Sequence, residues 1–529
     1  MSILSVSFLL FILGLCLVYF LVPKRFQWWV LLAFSLGFYA LGGLLSLPWL
    51  LLTALSAWAT ARYIQDRADA EKAFLAAHKA ELSKEERSAR KAKGKKTRRR
   101  ALSLCILLNV GVLCAFKYVH FLLAQANALA GLFGGEVRDS VRWIVPLGVS
   151  FYTFQTLGYL CDVYWGKAKA ERNPLKLLLF TSFFPQITQG PISAWNDLSS
   201  QLFAPHSLDY DSFSLGTQRL IWGFFKKMVA ANILSGYVSD VFANYGSYSG
   251  LASFLGALCY AAQIYADFSG YMDIMCGLCQ ILGIRLTENF DRPYFSKSVA
   301  EYWRRWHMSL GVWFKNYVYY PIAVSKWNQR LGKWAKKRLG KAFGNYLPAT
   351  LALVVTWLAT GLWHGASWGY IAWGGVNGLF IIFSMWMEGP YAKWKKALRI
   401  RESAWLWRAF QVGRTFLLVT FIKVLPEVGS LRDGLGLWKR IFTEHSLPHS
   451  LSELLPFVGD RRPLLAVLFS VGLMFLVSLL QRKGSVRALL RRRVPYLLRI
   501  CVFVFLFFLI LYFGVPASGG LGDFIYAQY

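Results

Sequence analysis

Continuous apolar runs restrict the fold of this sequence more than any other feature. Residues 3–22, 101–124, 369–387, 409–426, 463–480 and 497–514 form such runs, and about 20 apolar residues suffice for a helix to cross a bilayer. Several of the runs carry no charge. A soluble core cannot hide so many, and their continuity excludes the alternating pattern of a membrane β-barrel. Composition agrees: 56% of residues are hydrophobic and only 16% charged, against about 25% charged in soluble domains. The expected class is an all-α polytopic membrane protein. Residues 3–22 have neither a basic leader before them nor a small-residue cleavage site after them, so they read as a retained first helix.

The formal net charge is +32. In a soluble chain that would suggest nucleic acid. Here the charges lie in short segments between apolar runs, where the positive-inside rule accounts for them and no nucleic-acid partner is expected. Residues 62–100 hold 14 Lys/Arg and six Asp/Glu; 326–341 hold seven basic residues and none acidic; 393–408 hold six and one; 482–493 hold six and none. These four segments are expected on the cytoplasmic side, with 62–100 as a basic, helical cytoplasmic loop. The nearly balanced segments 126–142, 236–250 and 427–461 are expected outside. Threading the runs through these positions gives about 12 crossings, both termini outside, and one membrane domain, 1–529, ending in an extracytoplasmic tail, 515–529. Such basic faces also suit anionic lipid headgroups. Two apolar stretches resist assignment as crossings. Residues 177–194 contain Pro185, Gly190 and Pro191, and 310–325 lie between Arg304-Arg305 and Lys326. Broken backbone at membrane depth must be buried in protein or line a cavity, so both are expected to be re-entrant or interfacial segments.

The chemistry-bearing residues are few. Of seven histidines, His78, His206, His445 and His449 fall in polar segments. Pro448 spoils the helix that a metal site on His445 and His449 would need. Cys276 and Cys279 form a lone CxxC in an apolar run and read as packing, so no metal is expected. His364, in Thr360-Gly-Leu-Trp363-His364-Gly365, ends an apolar run (348–362) of only 15 residues, about 22 Å as helix and short of a bilayer core. A histidine there faces a cavity or a helix break. His307 lies in Glu301-Tyr-Trp-Arg304-Arg305-Trp306-His307, an aromatic and basic segment that suits an anionic donor or a simple aromatic belt; Asn316 follows on the same stretch. Asp267 and Asp273 interrupt the run 251–284 and need partners, either a histidine or basic side chains.

Taken together, Pro146 to Gln155, Phe183 to Ile192, Asp267 to Asp273, Asn289 to Pro321 and Gly361 to Gly365 resemble, in order, the motifs of the membrane-bound O-acyltransferase (MBOAT) family, in particular its group of alginate O-acetylases and D-alanyl transferases. Gln189 departs from the pattern, standing where a small or apolar residue is expected. The resemblance implies a ring of transmembrane helices with re-entrant segments around a thin centre pierced by a tunnel. It implies transfer of an acyl group, with acetyl the first expectation, from a cytoplasmic thioester to hydroxyls of an extracellular polysaccharide or cell-wall polymer. His364 would be the catalytic histidine and His307 the second catalytic polar position, with Asp267, Asp273, Arg304, Arg305, Trp306, Asn316 and Trp363 as supporting or donor-binding residues. The donor would be acetyl-coenzyme A or the phosphopantetheine of an acyl carrier protein, with no tightly bound cofactor. An extracellular SGNH-type acyltransferase would be the partner, and the location a bacterial cytoplasmic membrane. D-alanyl transfer to teichoic acid and a transporter or flippase without acyl chemistry are the alternatives. Acyl transfer needs a base near neutral pH, which histidine supplies, and no nucleophile elbow or nucleotide-binding glycine pattern competes.

The tail Phe524-Ile-Tyr526-Ala-Gln-Tyr529 resembles the F-x-Y-x-x-F end of the small partner peptide of D-alanylation systems, which makes Tyr526 a possible acyl relay or an interfacial anchor. Tyr526→Phe separates the two. Under the relay, polymer acylation measured by mass analysis of surface polymers is abolished while the protein stays in the membrane at normal levels. Undiminished acylation leaves only the anchor.

Overall fold

The computed structural model describes residues 2–133, 145–445 and 461–516. Tyr526 and His449 lie outside them. Among the described residues the regular secondary structure is helical apart from one isolated bridge, Phe290 with Trp306, and seven helices are long and apolar enough to cross a membrane. The chain divides into two compact units, one built mainly from residues 6–213 and the other mainly from 214–278 and 288–529.

The first unit contains α1 (Val6–Leu21), α2 (Gln27–Leu41), α3 (Leu47–Ala77), α4 (Lys84–Leu132), α5 (Val149–Tyr164), α6 (Pro174–Ser182), α7 (Phe184–Ile187) and α8 (Trp195–Leu202). The basic segment 62–100 is a helical hairpin formed by the end of α3 and the start of α4. Ser83 and Glu86 close a reciprocal capping box at its turn, which satisfies two otherwise orphan N–H groups. Arg98 bridges back to Glu71 at 2.8 Å. The stretch 177–194 is broken at Phe183 and buried almost throughout. Several of its polar groups are met from within the unit: the Gln155 amide donates to Gln186, and that of Gln186 to the Pro191 carbonyl and Ser193. Gln189 is wholly buried beside them.

The second unit contains α9 (Tyr210–Phe224), a π-helical turn (Phe225–Ala231), α10 (Asn232–Ala243), most of α11 (Gly250–Ile281), then α12 (Val299–Trp303), α13 (Met308–Phe314), a second π-helical turn (Lys315–Tyr319), α14 (Tyr320–Ala323), α15 (Lys326–Arg338), α16 (Lys341–His364), α17 (Trp368–Trp386), α18 (Glu388–Ala397), α19 (Trp405–Val424), α20 (Leu431–Thr443), α21 (Arg461–Leu480), α22 (Val486–Arg493) and α23 (Tyr496–Phe513). The stretch 310–325 is therefore one helical path, α13 to α14, widened by its π turn.

The helix bearing His364 differs from its sequence reading. The apolar run 348–362 is short, but α16 has 24 residues because Lys341–Leu347 extend it. Pro348 sits inside the helix; its carbonyl accepts from the Asn328 amide at 2.9 Å. His364 is thus the last residue of a full-length helix, not of a truncated one. Helices α16 and α17 then cross at backbone contact. A Cβ on Gly361 would lie 2.4 Å from the Tyr370 carbonyl oxygen, and one on Gly374 would lie 2.5 Å from that of Trp357. Small residues at such crossings let helices gain packing that the hydrophobic effect does not supply in lipid. Gly374→Val is expected to destabilise the protein by about 1–3 kcal/mol through overpacking, read as a lowered midpoint of thermal unfolding in detergent; an unchanged midpoint would show that the crossing relaxes freely.

Candidate functional site

His307 is held by a local clamp. Residues 289–291 run antiparallel to 305–308: the Met308 N–H donates to the Asn289 carbonyl at 3.0 Å and the Asp291 N–H to that of Arg305 at 3.0 Å. His307 sits between these bonds with φ +47°, a left-handed conformation uncommon outside glycine, which persists where the surroundings over-determine it. The buried Asn289 side chain completes the clamp. Its Oδ1 accepts the Ser309 N–H at 2.9 Å and faces His307 Nδ1 at 3.5 Å. Because Oδ1 is the acceptor, the His307 proton belongs on Nδ1. The Phe268 ring meets the imidazole edge to face at 4.8 Å. His307 lies outside the seven spanning helices. Burial, reinforced by nearby His364, holds its pKa well below the usual histidine value, so it is neutral at physiological pH.

His364 is placed by the end of α16. Its Nδ1 lies 2.8 Å from the Thr360 carbonyl. A carbonyl only accepts, so Nδ1 carries the proton and Nε2 the lone pair, the tautomer a general base requires. Gly365 follows because a Cβ there would lie 2.1 Å from the Tyr370 ring. Trp363 lies between the histidines, 6.2 Å from His307 and 4.9 Å from His364 by ring centroids. The two histidines and Trp363 of the sequence reading are thus brought together.

His364 lines a narrow cleft with Tyr260, Ile264, Trp303, Trp306, Tyr370, Trp373, Lys423, Pro426 and Glu427. Trp373 packs on the imidazole at 4.6 Å, and Asn377 fixes the wall by accepting the Trp303 indole N–H at 2.9 Å. The Tyr370 hydroxyl donates to Glu427 at 2.9 Å. The sequence reading missed Lys423, Glu427, Tyr370 and Asn289. Lys423 had a usable signal: it is a basic residue inside the apolar run 409–426, and intramembrane charges are rarely idle. Glu427 and Tyr370 gain meaning only from the fold.

The unit has a second pocket. Arg219, Lys226, Asp273, Glu288, Asn289, Tyr265, Phe290 and Gln481 are among its lining. Trp306, which lines the His364 cleft, meets Phe290 at 5.0 Å and Tyr265 at 6.2 Å, and both of those line this second pocket. Asp273 bonds Arg219 at 2.7 Å and Lys226 at 2.6 Å, and Arg219 also reaches Glu288. Asp267 forms a buried ion pair with Lys227. The π turn makes this possible: it rotates the consecutive Lys226 and Lys227 inward together, which a regular helix, at about 100° per residue, would not. Both aspartates are therefore matched to cations of the neighbouring helix. Arg305 pairs with Glu301 at 2.7 Å, Arg304 is exposed, and Asn316 is half-buried on the second π turn; none of the three lines either cavity.

Residues 170–417 match the sequence profile of the membrane-bound O-acyltransferase family. The chain is 35% identical to the probable alginate O-acetylase AlgI of Azotobacter vinelandii over 60% of its own length and 58% of that protein. It is 30% identical to the peptidoglycan O-acetyltransferase of Helicobacter pylori over 53% and 54%, and 28% identical to the teichoic acid D-alanyltransferase of Bacillus subtilis over 47% and 60%. The matched region spans little more than half the length of these relatives.

The buried pair predicts a characteristic non-additivity. Asp267→Ala strands the Lys227 ammonium and is expected to cost about 3–5 kcal/mol, whereas replacing both partners by apolar residues costs much less. Thermal unfolding of Asp267→Ala, Lys227→Met and the double variant in detergent checks this. Additive losses would show that the pair is not coupled.

Proposed function

We propose that the chain, which matches the membrane-bound O-acyltransferase family over residues 170–417, transfers an acetyl group from a thioester donor to hydroxyls of an extracellular polysaccharide. One observation carries the reading: two histidines, each with its proton directed to Nδ1, flank Trp363 at an aromatic-walled cleft inside the family-matched region. The acetyl group is favoured because the relatives of higher identity are named O-acetylases.

The chemistry follows from the tautomers. His364 Nε2 takes the proton of the acceptor hydroxyl as its oxygen attacks the thioester carbonyl. The carbonyl carbon gains the C–O bond and loses the C–S bond, and the departing thiolate takes the proton from His364. Neutral His307, fixed by the Asn289 clamp, holds a polar contact on the donor side of Trp363. Positive-inside orientation supports a direction. The second pocket adjoins Gln481 and the basic segment 482–493, the expected cytoplasmic side, where the thioester of coenzyme A or a carrier protein would approach. The His364 cleft sits where α16, α17 and α19 end away from the basic segments, the expected outer side. Delivery to the polymer through an SGNH-type acyltransferase, and relay through Tyr526, are further parts of this proposal.

His364→Ala and His307→Ala are expected to lower acetylation of surface polymer by about 10²–10⁴-fold, the range for loss of a general acid or base. Both proteins should extract from membranes at wild-type levels as monodisperse species. Mass analysis of surface polymer in a deletion strain carrying each variant is the measurement, and wild-type acetylation by His364→Ala would sink the proposal.

A further inference from the structure

Three lysines are buried among the described residues, and they are treated in two ways. Lys226 bonds Asp273 and Ser269, and Lys227 pairs with Asp267. Lys423, in the last turn of α19, has no described carboxylate within 4 Å. Its Nζ rests 3.5 Å from the centre of the Trp306 ring, with the Tyr294 and Tyr302 rings farther off at 5.0 and 5.2 Å. It donates to the Tyr294 hydroxyl at 3.0 Å.

The difference decides what each charge can do. A carboxylate in contact quenches an ammonium's field. Aromatic faces hold the cation by their quadrupoles and add no net charge, and the carbonyl end of α19 favours a cation there too. Lys423 therefore has no carboxylate in contact, and burial, which favours the neutral amine, is opposed for it by Glu427 across the same cleft. It faces the cleft it shares with His364. The nearest carboxylate in sequence, Glu427, is engaged by the Tyr370 hydroxyl.

We propose that Lys423 is a catalytic residue whose ammonium stabilises the oxyanion formed when the acceptor hydroxyl adds to the thioester carbonyl beside His364. The proposal rests on the acyl-transfer reading above. In the addition step the hydroxyl oxygen bonds the carbonyl carbon, the hydroxyl proton passes to His364 Nε2, and the carbonyl π electrons move onto oxygen. That oxygen carries one negative charge, and Lys423 is the cation in the cleft to meet it. In the collapse step the electrons return, the C–S bond breaks, and the thiolate takes the proton from His364. Lys423 neither gains nor loses a proton. Charge stabilisation of this kind acts on the transition state rather than on bound substrate.

The test uses the full chain in lipid nanodiscs with acetyl-coenzyme A as donor, and either water or alginate oligosaccharide as acceptor, because both routes pass through the same oxyanion. Lys423→Met removes the charge and is expected to lower kcat about 100–1,000-fold while KM for acetyl-coenzyme A moves less than about threefold. Lys423→Arg keeps the charge and the ring contacts and should retain at least roughly a tenth of the rate. If Lys423→Met does not purify as a monodisperse species, Lys423→Cys alkylated with bromoethylamine replaces it, with recovery of rate on alkylation expected. An unchanged kcat, a loss confined to KM for either substrate, an Arg variant as slow as the Met variant, or no recovery on alkylation would overturn the role of Lys423. A wild-type protein that cleaves no acetyl thioester, with an intact Lys423, would instead overturn the acyl-transfer reading on which the role depends.

Discussion

A polar group at membrane depth has no water to fall back on, so it is costly unless the protein itself meets it. That constraint organises the second unit. The Thr356, Thr360 and His364 side chains each bond back four residues along α16, a ladder of local satisfaction that ends at the imidazole. The His307 loop cannot use a helix in this way, because it leaves the helical path between α12 and α13. It is satisfied instead by the short antiparallel clamp on 289–291, with Asn289 supplying both a backbone and a side-chain acceptor. The two histidines are therefore fixed by different devices, and in both the device settles the proton on Nδ1.

The same constraint explains which parts of the molecule could be read from the sequence. Continuous apolar runs and the clustering of Lys and Arg are direct consequences of the solvent, so the all-helical membrane class was legible without a structure. His364 and His307 stood out because histidine is rare here and each sits in an unusual setting. Their juxtaposition across Trp363 was not legible, since it depends on the α16–α17 crossing and on a left-handed residue at 307. The length of α16 was misjudged for a related reason: Lys341 and the polar residues after it look like a loop, yet they continue the helix because α15 packs on them through Asn328 and Gly332. Lys423 escaped notice because a long apolar run dilutes a single charge in a composition window. The aromatic box that makes the charge tolerable comes from residues 294, 302 and 306, more than a hundred positions away.

The second unit also separates charges that hold the fold together from charges that remain available. Asp267 and Asp273 of α11, with Glu288 beyond its end, are paired with Lys226 and Lys227 of the first π turn and Arg219 of α9. Arrangements of this kind contribute little net stability, because desolvation opposes attraction, yet they penalise any packing that breaks them. They fix the register of α11, and α11 carries Tyr260 and Ile264 to one cavity and Tyr265 and Met272 to the other.

That shared helix borders both cavities. Trp306 presents one face of its surroundings to Phe290 and Tyr265 on the polar-pocket side, while Lys423 lies over its ring on the His364 side. Trp306 and Trp363 both stand beside His307, Trp306 as its chain neighbour and Trp363 at 6.2 Å between ring centroids. Under the proposed acyl transfer a thioester would suit this arrangement: its acyl end is small and apolar, and its charged carrier could stay in the polar pocket. A hydroxyl acceptor in the His364 cleft would then meet the acyl carbon beside the His364 imidazole and Lys423. In that proposed transfer, the aromatic side chains would hold the charged part of one substrate apart from the polar bulk of the other, and only the atoms that must react would meet.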